Sequence, residues 1–129
     1  YELDPTKLTY DEKEIIKKQV EDYHKYYNLT HYGDLYRLID PYFDNFRCAW
    51  GLVAPDKSEA LFTAVIMRKI ESGLFFLKFA GLDKNKFYKN SFDGEIYSGA
   101  LLMNSGINIS GIICNDGDSI QIYLAECKD

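Results

Sequence analysis

The chain is 129 residues long with a net charge of −5, 47% hydrophobic and 27% charged, which suits one globular domain and excludes a disordered or fibrous chain. No apolar run approaches the roughly 18 residues a membrane span needs, and no block is basic enough to gather phosphates, so membrane and nucleic-acid partners are excluded. Three cysteines at irregular spacing, Cys48, Cys114 and Cys127, fit neither a disulfide framework nor a zinc site and point to a reducing, cytoplasmic setting.

The chain opens on Tyr1 rather than Met and carries no leader pattern, so it is expected to be a piece of a longer protein. Thr9 and Glu12 form a capping box, which predicts a helix start. Ile16, Val20, Tyr23 and Tyr27 then recur at helical spacing opposite Lys13, Glu14, Lys17, Lys18 and Glu21, an amphipathic helix of about 18 residues. The Asn28 region and Gly33 are its expected stop.

Past Gly33 the pattern changes to short runs between turn signals, as in an all-β sandwich or barrel. Arg47 to Ala54 reads as a strand, Pro55-Asp56-Lys57 as its turn, and Ser58 to Lys69 as the returning partner. Leu74 to Phe79 and Lys86 to Lys89 are further strands, separated by the turn Gly81 to Asn85. Asp93-Gly94 is a hairpin turn into Glu95 to Tyr97. Gly99 to Gly106 reads as a helical turn or loop. Ser119 to Ala125 alternates Ile120, Ile122 and Leu124 inward against Gln121 and Tyr123 outward, a late strand expected to pair with an early one.

The search for chemistry returns little. Twenty acids always allow some pair of carboxylates to be proposed for glycoside hydrolysis, but most sit at turns or on the helix's polar face. Asp34 is the least ordinary, because it could orient Arg37 through a paired hydrogen bond. His24 and His31 lack a third ligand, and nucleophile elbow, Walker loop and dinucleotide-binding glycines are missing, so neither a metal nor a cofactor is expected. Trp50 lies in an apolar run and reads as core rather than as a sugar-stacking platform. Tyr23, Tyr26, Tyr27, Tyr32 and Tyr36 read as an interface, since a phenol offers a dry ring and a wet tip.

His31-Tyr32-Gly33-Asp34-Leu35-Tyr36-Arg37-Leu38 resembles a landmark segment of the α-galactosidases of glycoside hydrolase family 36. Further landmarks follow in the family's order: Asp40-Pro41-Tyr42-Phe43, Ala49-Trp50, Asp56 to Ala60, Gly81-Leu82-Asp83 with Tyr88, and Gly99 to Gly106. The stretch Met67 to Leu74 departs from the family's proline-bearing segment. The resemblance implies an antiparallel Greek-key β-sandwich over residues 31–129, following a helix over residues 1–30 that resembles the last helix of a catalytic (β/α)8 barrel. It implies a parent that hydrolyses terminal α-galactosides such as melibiose and raffinose with retention, using two aspartates of the barrel. The nucleophile's Lys-Trp-Asp context is absent, since Trp50 stands between Ala49 and Gly51, so no catalytic residue carries over.

The expected role is therefore a non-catalytic sandwich lying against its barrel, with Tyr23, Tyr27, Gly33, Asp34, Tyr36, Arg37 and Trp50 as structural or interface positions. Without the barrel, the helix face either folds back on the sandwich or meets a second copy of the chain. The rival from another class is a carbohydrate-binding module, suggested by eleven Tyr, eight Phe and one Trp; a small complete enzyme is the third reading.

Overall fold

The computed structural model describes residues 4, 6–69, 71 and 73–127. Tyr1, and Ile70 and Ser72 of the divergent Met67–Leu74 stretch, lie outside the described residues. Helix α1 spans Tyr10–Lys25 and starts where the capping box puts it. The Glu12 N–H donates to Thr9 Oγ1 at 3.3 Å and the Thr9 N–H donates to Glu12 Oε2 at 2.8 Å, which satisfies two otherwise orphaned amides.

The single helix expected through Asn28 is instead two. At Tyr26 the backbone leaves helical geometry (φ −100°, ψ 12°), and α2 covers Tyr27–Tyr32. The break turns the chain so that Leu29 is buried against the sheet and the Tyr26 ring lies 5.4 Å from that of Tyr123. Helix α2 stops at Gly33, where a Cβ would stand 2.5 Å from the Leu29 carbonyl oxygen, so the tight exit into the first strand admits only glycine.

Eight strands follow: β1 (Asp34–Ile39), β2 (Arg47–Val53), β3 (Glu59–Ile66), β4 (Phe76–Leu77), β5 (Phe87–Asn90), β6 (Ile96–Ser98), β7 (Ile107–Asn108) and β8 (Ser119–Glu126). Six form an antiparallel sheet in the order β1-β2-β3-β8-β5-β6, while β4 and β7 pair as a ribbon in the other layer. The fold is mainly antiparallel β, in two unequal layers. The hairpins expected at Pro55 to Lys57 and at Asp93-Gly94 join β2 to β3 and β5 to β6. Strand β8 returns from the ribbon layer to lie between β3 and β5, the long return connection of a Greek key.

The inner face of the sheet follows the two-residue period. Ala49, Gly51 and Val53 of β2, Ala60, Phe62, Ala64 and Ile66 of β3, and Ile122 and Leu124 of β8 all point inward. Phe75, Leu77, Phe79, Leu102, Ile107 and Ile109 cover them from the second layer in one continuous core. Phe62 is its centre: the ring lies across Gly51, its register partner, and meets Phe79 edge-on at 4.7 Å.

Three elements differ from the sequence reading. The run Leu74 to Phe79 hydrogen-bonds as a strand only at Phe76–Leu77, although Phe75, Leu77 and Phe79 keep the alternate burial expected of it. Strands β1 and β7 were not anticipated. The Gly99 segment forms the helical turn expected of it, α3 (Gly99–Asn104), capped by Ser98 Oγ, which accepts from the Leu101 N–H at 3.2 Å.

Candidate docking surface

The landmark residues of the sequence form a structural joint. Gly81 adopts φ +78°, and a Cβ there would stand 2.3 Å from the Tyr36 ring, so Tyr36 closes over it. At Gly99 a Cβ would stand 2.0 Å from the Asp83 carbonyl oxygen. The fully buried Tyr88 accepts from the Asp83 N–H at 3.1 Å and donates its hydroxyl proton to the Lys57 carbonyl at 2.9 Å. Burial pushes its phenol up, so it stays a neutral donor. These residues bind loops to one another.

Two expectations are corrected. Asp34 and Arg37 make no hydrogen bond or ion pair with each other among the described residues. Their odd separation on β1 sends them to opposite faces: Asp34 registers with inward Val53, Arg37 with outward Trp50. Trp50 is likewise not core. Its neighbours Ala49 and Gly51 occupy the inward positions, which leaves the indole on the outer face, 36% exposed.

Helix α1 is clamped at its C-terminal end. Lys25 Nζ lies over the rings of Tyr26 and Tyr123, at 4.8 and 5.3 Å, a cation–π clamp. The Tyr123 hydroxyl donates to Glu59 Oε2 at 2.6 Å; burial and then this carboxylate push the phenol far up. Beyond the clamp, no residue of α1 is buried. Ile15, Val20 and Tyr23 are 58%, 42% and 47% exposed, so the apolar stripe does not fold back on the sandwich. The Tyr27 ring stacks on His31 at 3.9 Å, and His31 Nδ1 lies 2.9 Å from the Tyr27 carbonyl oxygen, which places this histidine in the helix turn.

The second exposed surface was not anticipated. The loop from β1 to β2 projects Tyr42 and Phe43, each 84% exposed, their rings edge-on at 5.1 Å. Two aspartates hold it. Asp40 Oδ1 accepts from the Tyr42 N–H at 2.9 Å, and Asp44 Oδ1 accepts from the Phe46 and Arg47 N–H groups at 2.8 and 2.9 Å. Arg47 adds a two-nitrogen clamp on Asp44 Oδ2, from Nε at 2.9 Å and Nη2 at 2.8 Å. Partial burial works to raise the Asp44 carboxyl, but these donors outweigh it and hold it below the usual range. The signal was present in the sequence as two turn-forming Asp residues bracketing aromatics.

Beside this loop, on the outer face, a groove of about 370 Å³ is lined by Leu35, Arg37, Asp40, Pro41, Cys48 and Trp50. Burial and then the Asp40 charge push the Cys48 thiol up, so it is no nucleophile. A larger hollow of about 590 Å³ lies against Phe46, Arg47, Lys69 and Phe75. There Arg47 holds Asp44 and lies 5.0 Å from the Phe75 ring centre, and the Lys69 N–H donates to Asp116.

The family described as the glycosyl hydrolase family 36 C-terminal domain matches residues 47–124. The bifunctional α-galactosidase/sucrose kinase AgaSK of Mediterraneibacter gnavus is 35% identical over an alignment of 130 positions that covers all of this chain and 14% of that protein. α-Galactosidase Mel36A of Lactobacillus acidophilus is 39% identical across 82% of this chain and 14% of its own length. The crystal structure of the family 36 α-galactosidase AgaA from Geobacillus stearothermophilus superposes with a TM-score of 0.88 at 35% identity, over 98% of this chain and 17% of that one. The chain thus spans about one seventh of the curated relatives it matches. With 78 residues inside the family's bounds and the same fold in a solved member, the chain belongs to the C-terminal domain family of glycosyl hydrolase family 36.

Proposed function

We propose that this chain is the non-catalytic C-terminal sandwich of a retaining, cytoplasmic α-galactosidase and acts as a bracket for the catalytic barrel of the same protein. Residues 1–30 then supply the barrel's last helix and residues 31–129 the sandwich. One observation carries the reading. Helix α1 is clamped to the sheet through Lys25, Tyr26, Tyr123 and Glu59, while no residue of the helix is buried among the described residues and Val20 and Tyr23 of its apolar stripe stay 42% and 47% exposed. A stripe of that kind is stable in water only when another apolar layer lies on it. The clamp fixes the angle at which that layer is presented, and catalysis that depends on positioned groups benefits from barrel helices that do not move.

The test is made in the full-length enzyme. Val20→Glu with Tyr23→Ser should shorten the heat-inactivation half-life several-fold while kcat/KM on a nitrophenyl α-galactoside stays within about twofold, because burying an unpaired charge in the interface destabilises packing without touching the chemistry. Unchanged heat stability, or lost kcat with stability intact, overturns the bracket. A second reading, a carbohydrate-binding module, has the exposed Trp50 groove in its favour; blue-shifted Trp50 emission on titration with melibiose or raffinose would support it.

A further inference from the structure

The hollow of about 590 Å³ lies where the two layers part, at the end of the sandwich remote from the α1 clamp. Arg47 shares the inward side of β2 with Ala49 and Gly51 and stands opposite Ile66, the last residue of β3, while Phe75 leads into β4 of the ribbon layer. The clamp engages Glu59, the first residue of β3, so roughly 20 Å of strand separates the two. A partner held at the clamp need not fill the hollow.

The walls are fixed before anything binds. The Phe46 N–H donates to Asp44 Oδ1 at 2.8 Å, and the Phe46 carbonyl accepts from the Met67 N–H at 2.7 Å. The Phe75 N–H donates to Ser110 Oγ at 2.6 Å, and the Phe75 carbonyl accepts from the Ile109 N–H at 2.8 Å. A hollow of small-molecule size whose walls are already in place loses little freedom when it is filled.

Its chemistry identifies the ligand. The charge of Arg47 is balanced by Asp44, whose Oδ2 takes Nε and Nη2, while Nη1 has no hydrogen-bond partner among the described residues. Arg47 thus offers a directional N–H donor with little net charge. Lys69 and Glu71, also lining the hollow, add one cation and one anion, and neither has an ion-pair partner among the described residues. These charges cancel, so a bare ion gains little from the hollow as a whole. What remains is the half-exposed Phe46 ring beside donors and an acceptor. A saccharide matches that combination, because its ring has a face of C–H groups that packs on an aromatic side chain and an edge of hydroxyls that donate and accept. A wholly apolar ligand would strip water from Arg47, Lys69 and Glu71 and replace none of it.

We propose that this hollow is a binding site for a short neutral saccharide, separate from the Trp50 groove. Phe46 supplies the stacking face, Arg47 Nη1 and Lys69 Nζ donate to hydroxyl oxygens, and the Glu71 carboxylate accepts from a hydroxyl.

The test is titration of the isotope-labelled chain with melibiose, raffinose and maltose, and with inorganic phosphate as the anion control, followed by amide NMR shifts. At least one sugar should give saturable shifts at Phe46, Arg47 and Phe75, and phosphate should give none there. Phe46→Ala should weaken binding roughly 2- to 10-fold, the worth of one aromatic contact. Glu71→Ala should weaken it as well, and Trp50→Ala should leave it unchanged. Glu71 is exposed, so its variant carries the test should the amide spectrum of Phe46→Ala show a disturbed fold. No saturable shift with any of the three sugars overturns the proposal, as does phosphate bound in the hollow. Sugar binding that both Phe46→Ala and Glu71→Ala leave intact, or that shifts Trp50 and vanishes with Trp50→Ala, overturns it too. None of these results bears on the bracket reading, which is decided by α1 in the full-length enzyme.

Discussion

Gly51 is a place where a single methyl group should do much damage for its size. A Cβ at this position would stand 2.0 Å from Phe62 Cδ1, 2.3 Å from Cε1 and 2.9 Å from Cγ. These are ring atoms of a fully buried side chain, and Cγ is fixed to its own backbone, so the ring cannot swing clear as the tip of a lysine would. Gly51 has an ordinary strand backbone, and the whole cost of Gly51→Ala is therefore steric. Forcing the ring aside is overpacking of about 1–3 kcal/mol, and moving it off Phe79 forfeits an edge contact of about 0.5–1.5 kcal/mol. The expected loss of about 2–4 kcal/mol is read by urea denaturation. In a thermal scan it lowers the midpoint by roughly 3–5 °C per kcal/mol for a chain of this length. A double-mutant cycle isolates the cause. If the clash with Phe62 is responsible, Phe62→Leu should cost less in the Gly51→Ala background than in the parent by at least about 1 kcal/mol. A change below about 0.5 kcal/mol for Gly51→Ala, or strict additivity in the cycle, refutes the reasoning.

Two further outcomes follow from the joints described above. Tyr88→Phe removes the hydroxyl that serves both the Asp83 N–H and the Lys57 carbonyl, leaves both unpaired in a part-buried site, and should cost about 1–3 kcal/mol in the same denaturation assay; a neutral result would mean that water replaces the hydroxyl. Asp44→Asn should cost about 1–2 kcal/mol near pH 7, discounted for the partial exposure of the pair. The folded-state pKa of Asp44 is depressed, so its stabilisation is complete above the unfolded value of about 3.9 and is lost as pH falls through the folded one. The gap between parent and variant should therefore narrow as pH falls below the usual carboxylate range, and a gap that does not depend on pH refutes the assignment.

The features written in short-range chemistry were legible from the residues alone. The Thr9–Glu12 capping box, the turns at Pro55 to Lys57 and Asp93-Gly94, and the alternation of Ile120, Ile122 and Leu124 each depend on neighbours a few positions away. What escaped depends on distant partners. Strand β1 has a bulge between Arg37 and Ile39 that shifts its alternation halfway, so Asp34 to Ile39 shows no clean period. Two-residue β7 exists only because β4 is there to bond it. Trp50 reads as core because its run is apolar throughout, and such a run does not say which alternate positions face inward. In β2 the small Ala49 and Gly51 face the core, since Phe62 from the next strand already fills that space. The exposure of Tyr42 and Phe43 is set by the turns that Asp40 and Asp44 hold, which the aromatics alone do not reveal.

The position of β8 bears on how the molecule is assembled on the ribosome. It is the eighth strand to be synthesised, yet it occupies the middle of the six-stranded sheet, flanked by β3 and β5. Until it emerges, β1-β2-β3 and β5-β6 are two separate fragments, and the β3 and β5 edges that it will cover are left with unpaired amides and carbonyls. Translation delivers residues at roughly 5–20 per second, so those edges stay open for seconds, long enough to recruit a foreign strand. The burden of early folding then falls on the β2–β3 hairpin, whose register, set by the short turn between Ala54 and Glu59, can form without waiting for the remainder.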